Sequence, residues 1–167
     1  MSQTTPTPEP TPETLAAPSL EHICDLAVTI APPVEVGHTP SGLRRMIPIT
    51  GGVVRGPRLN GRVLPGGADF QLIVGQGTQA HLDARYVIEL DDGSRVFVQN
   101  TALRVTSAED ALRIMRGEPV NPAAVYFRCQ PRLESSAPEW AWLAESQYVG
   151  TGRRAPDGVF LSFYRVT

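Results

Sequence analysis

Lysine is absent from this chain of 167 residues: all fifteen basic side chains are arginine. That excludes Schiff-base chemistry, a pyridoxal-phosphate lysine and the lysine of a P-loop. Cysteine is nearly absent too. Cys24 and Cys129 lie far apart and form no CxxC, so they are expected as two buried thiols of a cytoplasmic protein. No apolar run approaches the ~18 residues of a membrane span. The first twenty residues have neither the basic start nor the apolar centre of a secretion signal, so no membrane partner is expected. A pI near 5.9 with dispersed arginines argues against nucleic acid as a partner. What the chain has in quantity is proline and glycine, 16 and 15, which argues against a helical bundle.

Residues 1–19 hold five prolines and five threonines with almost nothing to bury, the composition of a disordered or polyproline-like tail. The folded domain is therefore expected over 20–167. Its strands are read at His22–Ile30, Arg45–Ile49, Val53–Arg55, Arg62–Leu64, Asp69–Val74, Ala80–Leu90 and Arg95–Asn100, then at Ala124–Gln130, Glu139–Val149 and Val159–Val166. Asp91-Asp92-Gly93 and Pro156-Asp157-Gly158 are turn signals. One helix is expected near 107–116: Thr106 and Glu109 form a capping box, and Ala111, Leu112 and Met115 form the apolar stripe. This pattern predicts a mainly β protein, an antiparallel barrel or sandwich. Val159–Val166 and Glu139–Val149 carry apolar side chains on both faces, which predicts cover from the helix, a loop or a second copy; a homo-oligomer is the economical expectation.

Several motifs fail on context. Gly75-x-Gly77-x-x-Ala80 and Gly150-x-Gly152-x-x-Ala155 match the letters of a dinucleotide fingerprint, but neither opens a helix, so both read as turns. His22 and Cys24 share a strand face, yet two residues do not make a metal site. Neither a metal nor a cofactor is expected. The informative residues are polar positions on the central strands. Asp83 and Arg85 project together, opposite Leu82, Ala84, Tyr86 and Ile88; Asp69 and Gln71 share a face of the preceding strand. Asn100, Arg104, Tyr126, Arg128 and Glu134 add further hydrogen-bonding groups. Alternation leaves two readings: solvent-facing halves of amphipathic strands, or groups lining a barrel interior where they orient a ligand.

The strings Gly42-Leu43-Arg44-Arg45-Met46-Ile47-Pro48-Ile49-Thr50-Gly51-Gly52, Gly56-Pro57 and Gly61 through Gln71 resemble a bacterial family known as domain of unknown function 3237, or uncharacterised protein family 0311. Leu82-Asp83-Ala84-Arg85-Tyr86, Asp91-Asp92-Gly93, Tyr126-Phe127-Arg128, Trp142-Leu143 and Val149-Gly150-Thr151-Gly152 continue the likeness, which spans about residues 20–166. The resemblance implies a single antiparallel calycin-like, lipocalin-type β-barrel of about 8–10 strands, often self-associating, and no general reaction. Positions matching its polar pattern are Arg44, Asp69, Gln71, Asp83, Arg85, Asn100, Arg104, Tyr126, Arg128, Glu134 and Trp142. Phe70, Cys129 and Ala144 depart from the family's usual Trp, Thr and Asn.

Two functions follow as expectations. In the first, the barrel binds a small, partly apolar molecule, aromatic or anionic. Arg44, Arg85 or Arg128 holds its polar group, Phe70 and Trp142 supply packing surfaces, and Gln71, Asn100, Arg104 and Glu134 complete the site. In the second, the same cavity is a cofactor-free lyase, isomerase or cyclase, with Asp83 or Asp69 as base and Tyr126 or Arg85 stabilising an oxyanion. A third, a partner-binding module, has only the proline-rich tail behind it. The environment of Asp83 and Arg85 discriminates: burial and convergence favour catalysis, a mutual salt bridge favours scaffolding.

Overall fold

The computed structural model describes residues 13–167. The tail expected over 1–19 lies mostly outside them; its described part, 13–19, is exposed and joins the domain where Ser19 and Thr167 exchange backbone hydrogen bonds. Ten strands follow: β1 (Leu20–Ile30), β2 (Val34–Thr39), β3 (Gly42–Arg55), β4 (Gly61–Val63), β5 (Ala68–Val74), β6 (Gln79–Leu90), β7 (Arg95–Val105), β8 (Tyr126–Ser135), β9 (Tyr148–Ala155) and β10 (Gly158–Val166). All pairings are antiparallel, and β1 pairing with both β10 and β3 closes the sheet on itself. The ten segments fill eight positions. β1 and β2 pair in turn with the two halves of β3, and β4 and β5 lie end to end between β3 and β6. The result is a closed eight-position barrel, mainly β, with one short helix, α1 (Ala108–Met115).

Local chemistry explains where the elements differ from the sequence reading. Gly51-Gly52 does not end a strand; β3 runs through it, because its two halves each have partners on both sides. The helix cap lies one residue later than Thr106: the Ser107 hydroxyl accepts from the Asp110 backbone N–H at 3.0 Å, and Ala111 and Ile114 are the buried face while Leu112 and Met115 are exposed. The largest correction concerns Glu139–Val149. Residues Pro138–Leu143 form a 3-10 turn, and the strand begins only at Tyr148. Trp140 and Trp142, two apart, imitate strand alternation. Gly150 and Gly152, read as a turn, are strand residues of β9.

The 3-10 turn plugs one end of the barrel. The Trp140 indole N–H donates to Asp92 Oδ2 at 2.9 Å in the β6–β7 turn, Arg58 and Arg165 stack on Trp142, and Leu143 and Leu59 are wholly buried beneath. Near that end, Cys24, Val54, Ile88, Val96, Leu133 and Phe163 form the dry core. Both cysteines are free and buried, and burial pushes their thiols up, to about 12 for Cys24 and about 11 for Cys129. A bulge after His22 turns Cys24 inward and leaves His22 outside, so the two do not share a face. The second apolar face of β10 is partly met within the chain, where Arg153 lies over the Phe160 ring at 4.4 Å. None of the helices among the described residues is long and apolar enough to cross a membrane.

Candidate functional site

The opposite end of the barrel, beneath α1, is polar inside. On β6 the alternation has its ordinary sense: Leu82, Tyr86 and Ile88 are buried, and Asp83 and Arg85 face outward. On β5 the sense is inverted. Asp69, Gln71 and Ile73 point into the barrel, while Phe70 is half exposed on the outer wall. Arg45 alternates inward with Ile47 and Ile49 on β3, and Asn100 and Arg104 continue the inward row of Val96 and Val98 on β7. Asp69, Gln71, Tyr86, Asn100 and Arg104, with Arg154 of β9, line a cavity with apolar walls from Val28, Ile30, Ile47, Ile49, Leu82, Ala102, Phe127, Val159 and Leu161; Arg45 stands behind Gln71 rather than on the cavity wall.

Its electrostatics are unusual. A hydrogen-bonded chain runs from the Arg45 Nε–H to Gln71 Oε1 at 2.8 Å and from the Gln71 amide to Asp69 Oδ2 at 2.5 Å. Asp69 Oδ1 finds no well-formed hydrogen bond among the described residues, nor do the Tyr86 hydroxyl and Asn100 Oδ1. Burial pushes the Asp69 carboxyl above the usual carboxylate range, against the Gln71 hydrogen bond, a weaker one from the Asp83 backbone and the positive charges of Arg104 and Arg45. Burial likewise drives the Tyr86 phenol well upward, so it is a neutral donor. Arg104, 5% exposed, is pushed down to about 10 by burial and by Arg154 and Arg45, which leaves it charged at neutral pH. None of Arg45, Arg104 and Arg154 has a carboxylate within 4 Å among the described residues. Glu35, which draws on Arg45, is exposed at the rim. Three guanidinium groups thus share one interior carboxylate, an arrangement that costs stability unless an anion completes it.

Of the residues singled out from sequence, Asp69, Gln71, Asn100 and Arg104 come together here. Others are placed elsewhere. Asp83 accepts from Arg85 at 3.1 Å and from the Gln99 amide at 3.3 Å on the outer wall. The pair faces away from the barrel interior and is largely exposed, which withdraws the interior placement that Asp83 as a base and Arg85 as an oxyanion or carboxylate partner require. Tyr126, Arg128 and Glu134 lie on the outward row of β8, with Arg128 stacked on Tyr126 at 5.1 Å; Arg44 is outward on β3. Trp142 belongs to the end plug, and Phe70 to the outer wall. For the residues of β3, β6 and β8 the cause is the same, that the outer face of an amphipathic strand is the more polar one; Phe70 is outside because β5 is inverted, and Trp142 because its segment is a 3-10 turn. Arg45, Tyr86 and Arg154 were missed, although Arg45 sharing a row with Ile47 and Ile49 was a legible signal. The Asp83–Arg85 pair is half solvated, so Asp83→Asn should change stability by less than about 0.5 kcal/mol and leave ligand binding untouched, checked by urea melts and titration.

Comparison with known proteins places this geometry. The model of a family described as protein of unknown function (DUF3237) matches residues 18–166. A UPF0311 protein of Rhodopseudomonas palustris is 38% identical over 151 residues, covering 89% of this chain and 98% of its own. A β-barrel-like protein of Acinetobacter baumannii, solved by crystallography, superposes with a TM-score of 0.80 at 35% identity, covering 92% of this chain and 99% of that one. An enzyme from Penicillium herquei, 19% identical with a TM-score of 0.70 over 94% of this chain and all of its own, shares the fold.

Proposed function

We propose, for a chain that belongs to the DUF3237 family of proteins of unknown function, that the barrel interior binds a small molecule through an anionic or carbonyl head group. The observation that carries the reading is the excess of inward cations: buried Arg45 and Arg104 and half-buried Arg154 surround one interior carboxylate, with no ion pair to any of them among the described residues. A carboxylate or enolate between Arg104 and Arg154 would receive charge-assisted hydrogen bonds, with the Arg45 charge adding its field from behind Gln71, and Tyr86 has a proton to donate. The apolar walls suit a hydrocarbon portion. Propionate, followed by chemical-shift perturbation, is expected to saturate and to move Ala102 and Leu82; propionamide, of the same shape without the charge, should bind at least tenfold more weakly. Equal affinity for the two would remove the reading.

A second reading, a cofactor-free lyase, isomerase or cyclase, rests on Asp69. Its side chain lines the cavity and its affinity for protons is raised, the state a general base needs near neutral pH. It would take a proton beside a carbonyl whose oxygen is held by Arg104. Asp69→Asn is expected to abolish turnover while keeping, or tightening, head-group binding, since a like charge has gone. It should also stabilise the fold at neutral pH. Because the folded pKa is raised, Asp69's contribution is fully present below its unfolded value and is lost as pH rises through the folded one. The gain from the amide must therefore disappear in acid; a variant equally stabilised at pH 3 and pH 8 would show that Asp69 carries no such shift.

A further inference from the structure

The barrel interior is small for a whole metabolite. Its free volume is about 60 Å³. At roughly 10–15 Å³ for each water-sized occupant, that admits about four or five heavy atoms, a head group and little more. The plugged end offers no extension, since Trp140 is fastened to Asp92 and Leu59 and Leu143 fill the space below. At the α1 end two further spaces lie beside the cavity, behind a wall formed by Arg104, Phe127 and Arg154. A narrow neck of about 20 Å³ adjoins the cavity, sharing Arg104, Phe127 and Arg154 with it. Beyond the neck a cleft of about 150 Å³ opens between the α1 segment and β9.

Arg154 borders all three spaces. The partition beside it is the Phe127 ring, packed flat on Gly152, where a Cβ would lie 2.8 Å from three ring carbons. Past that partition the neck walls are Ile114, Val120, Pro122 and Val125. The half-buried Arg154 guanidinium, with no ion pair among the described residues, therefore stands at the junction of a cationic chamber and a mainly apolar cleft that Glu118 and Arg153 also line. Such a sequence of surfaces matches a molecule with a charged head and an apolar tail.

We propose that the ligand is an amphiphilic anion longer than the barrel interior, its head against Arg104 and Arg154 and its apolar tail displacing the half-buried Arg154 side chain to enter the cleft beneath α1. The inference rests on the head-group reading above and adds the tail subsite, with Val120 as a length-determining residue. Binding of straight-chain carboxylates from propionate to decanoate to the full chain, measured by calorimetry, tests it. Affinity should rise about fourfold per methylene once the chain exceeds the interior. Val120→Trp, which fills the cleft, should flatten that rise and leave propionate unchanged. Val120→Asn, which makes the wall polar without added bulk, should reduce the slope and guards against misfolding of the larger variant. A wild-type affinity that does not grow with length overturns the tail subsite and leaves the head-group reading standing. A slope that neither variant alters places the tail elsewhere and overturns it too. If no carboxylate binds, or if alcohols of equal length bind as well, the head-group reading falls and the tail subsite with it.

Discussion

Replacing Arg104 by methionine is expected to make the protein more stable and unable to bind its ligand. Arg104 is 5% exposed and has no carboxylate within 4 Å among the described residues. Burial and two neighbouring arginines both work against its charge. A buried guanidinium in that position loses hydration that a single shared carboxylate does not replace. Methionine replaces the unbranched stem of arginine without its guanidinium and adapts to the irregular space beside Phe127 and Ala102. By analogy with apolar replacement of buried ions, the gain should be about 1–4 kcal/mol, read from urea denaturation. Loss of a buried, charge-assisted contact to the head group costs about 2–5 kcal/mol of affinity, at least about thirtyfold. The two effects have opposite signs, which separates them from general damage. A destabilised Arg104→Met protein would mean that Arg104 is internally compensated, and the case for an anion site would lose its basis.

The same reasoning explains why the site was only half legible from sequence. Strand positions follow from turn residues and alternation: β1, β5, β6 and β10 are recoverable within two residues, whereas β7 runs five residues past the expected Asn100. Alternation also says which side chains share a face, but not which face is inside. On β6 and β8 hydrophobicity decides it, and the polar rows holding Asp83, Arg85, Arg128 and Glu134 turn outward. β5 breaks this rule: Phe70 faces out and Asp69 with Gln71 face in, because Arg45 and Arg104 inside supply partners and field. That exception is a tertiary fact with no local signature. Tyr86 and Arg45 illustrate the converse. Each lies in a row of aliphatic residues, so a polar group on an otherwise apolar face was the available sign. Trp140 and Trp142 misled for a simpler reason, since a two-residue spacing fits a strand and a 3-10 turn equally over so short a stretch.

Gly66 and Gly67, adjacent in the turn that leads into β5, should respond very differently to alanine. Gly66 has φ +106°, and a Cβ there would meet nothing within 4 Å. Its substitution costs only the backbone conformation that L residues avoid, about 1–2 kcal/mol. At Gly67 the obstacle is contact. A Cβ would lie 2.5 Å from the Arg85 carbonyl oxygen and 2.6 Å from Tyr86 Cβ, both fixed parts of β6. Backbone atoms of a paired central strand cannot yield as a flexible side chain can, so β5 must move away from β6. The Gly67 carbonyl also accepts from the Ile49 N–H at 2.8 Å, and Asp69 follows two residues later. Displacement at this point therefore loosens the β3–β5 seam and shifts the Asp69–Gln71–Arg45 chain together. Gly67→Ala is expected to cost about 3 kcal/mol or more, at the upper end for overpacking, and to weaken propionate binding in whatever folded protein remains. Gly66→Ala should bind propionate as the parent does. Urea midpoints and chemical-shift titrations of the two variants give the comparison. Equal destabilisation by both would show that β5 is free to move relative to β6, and the cavity would then be softer than its packed wall implies.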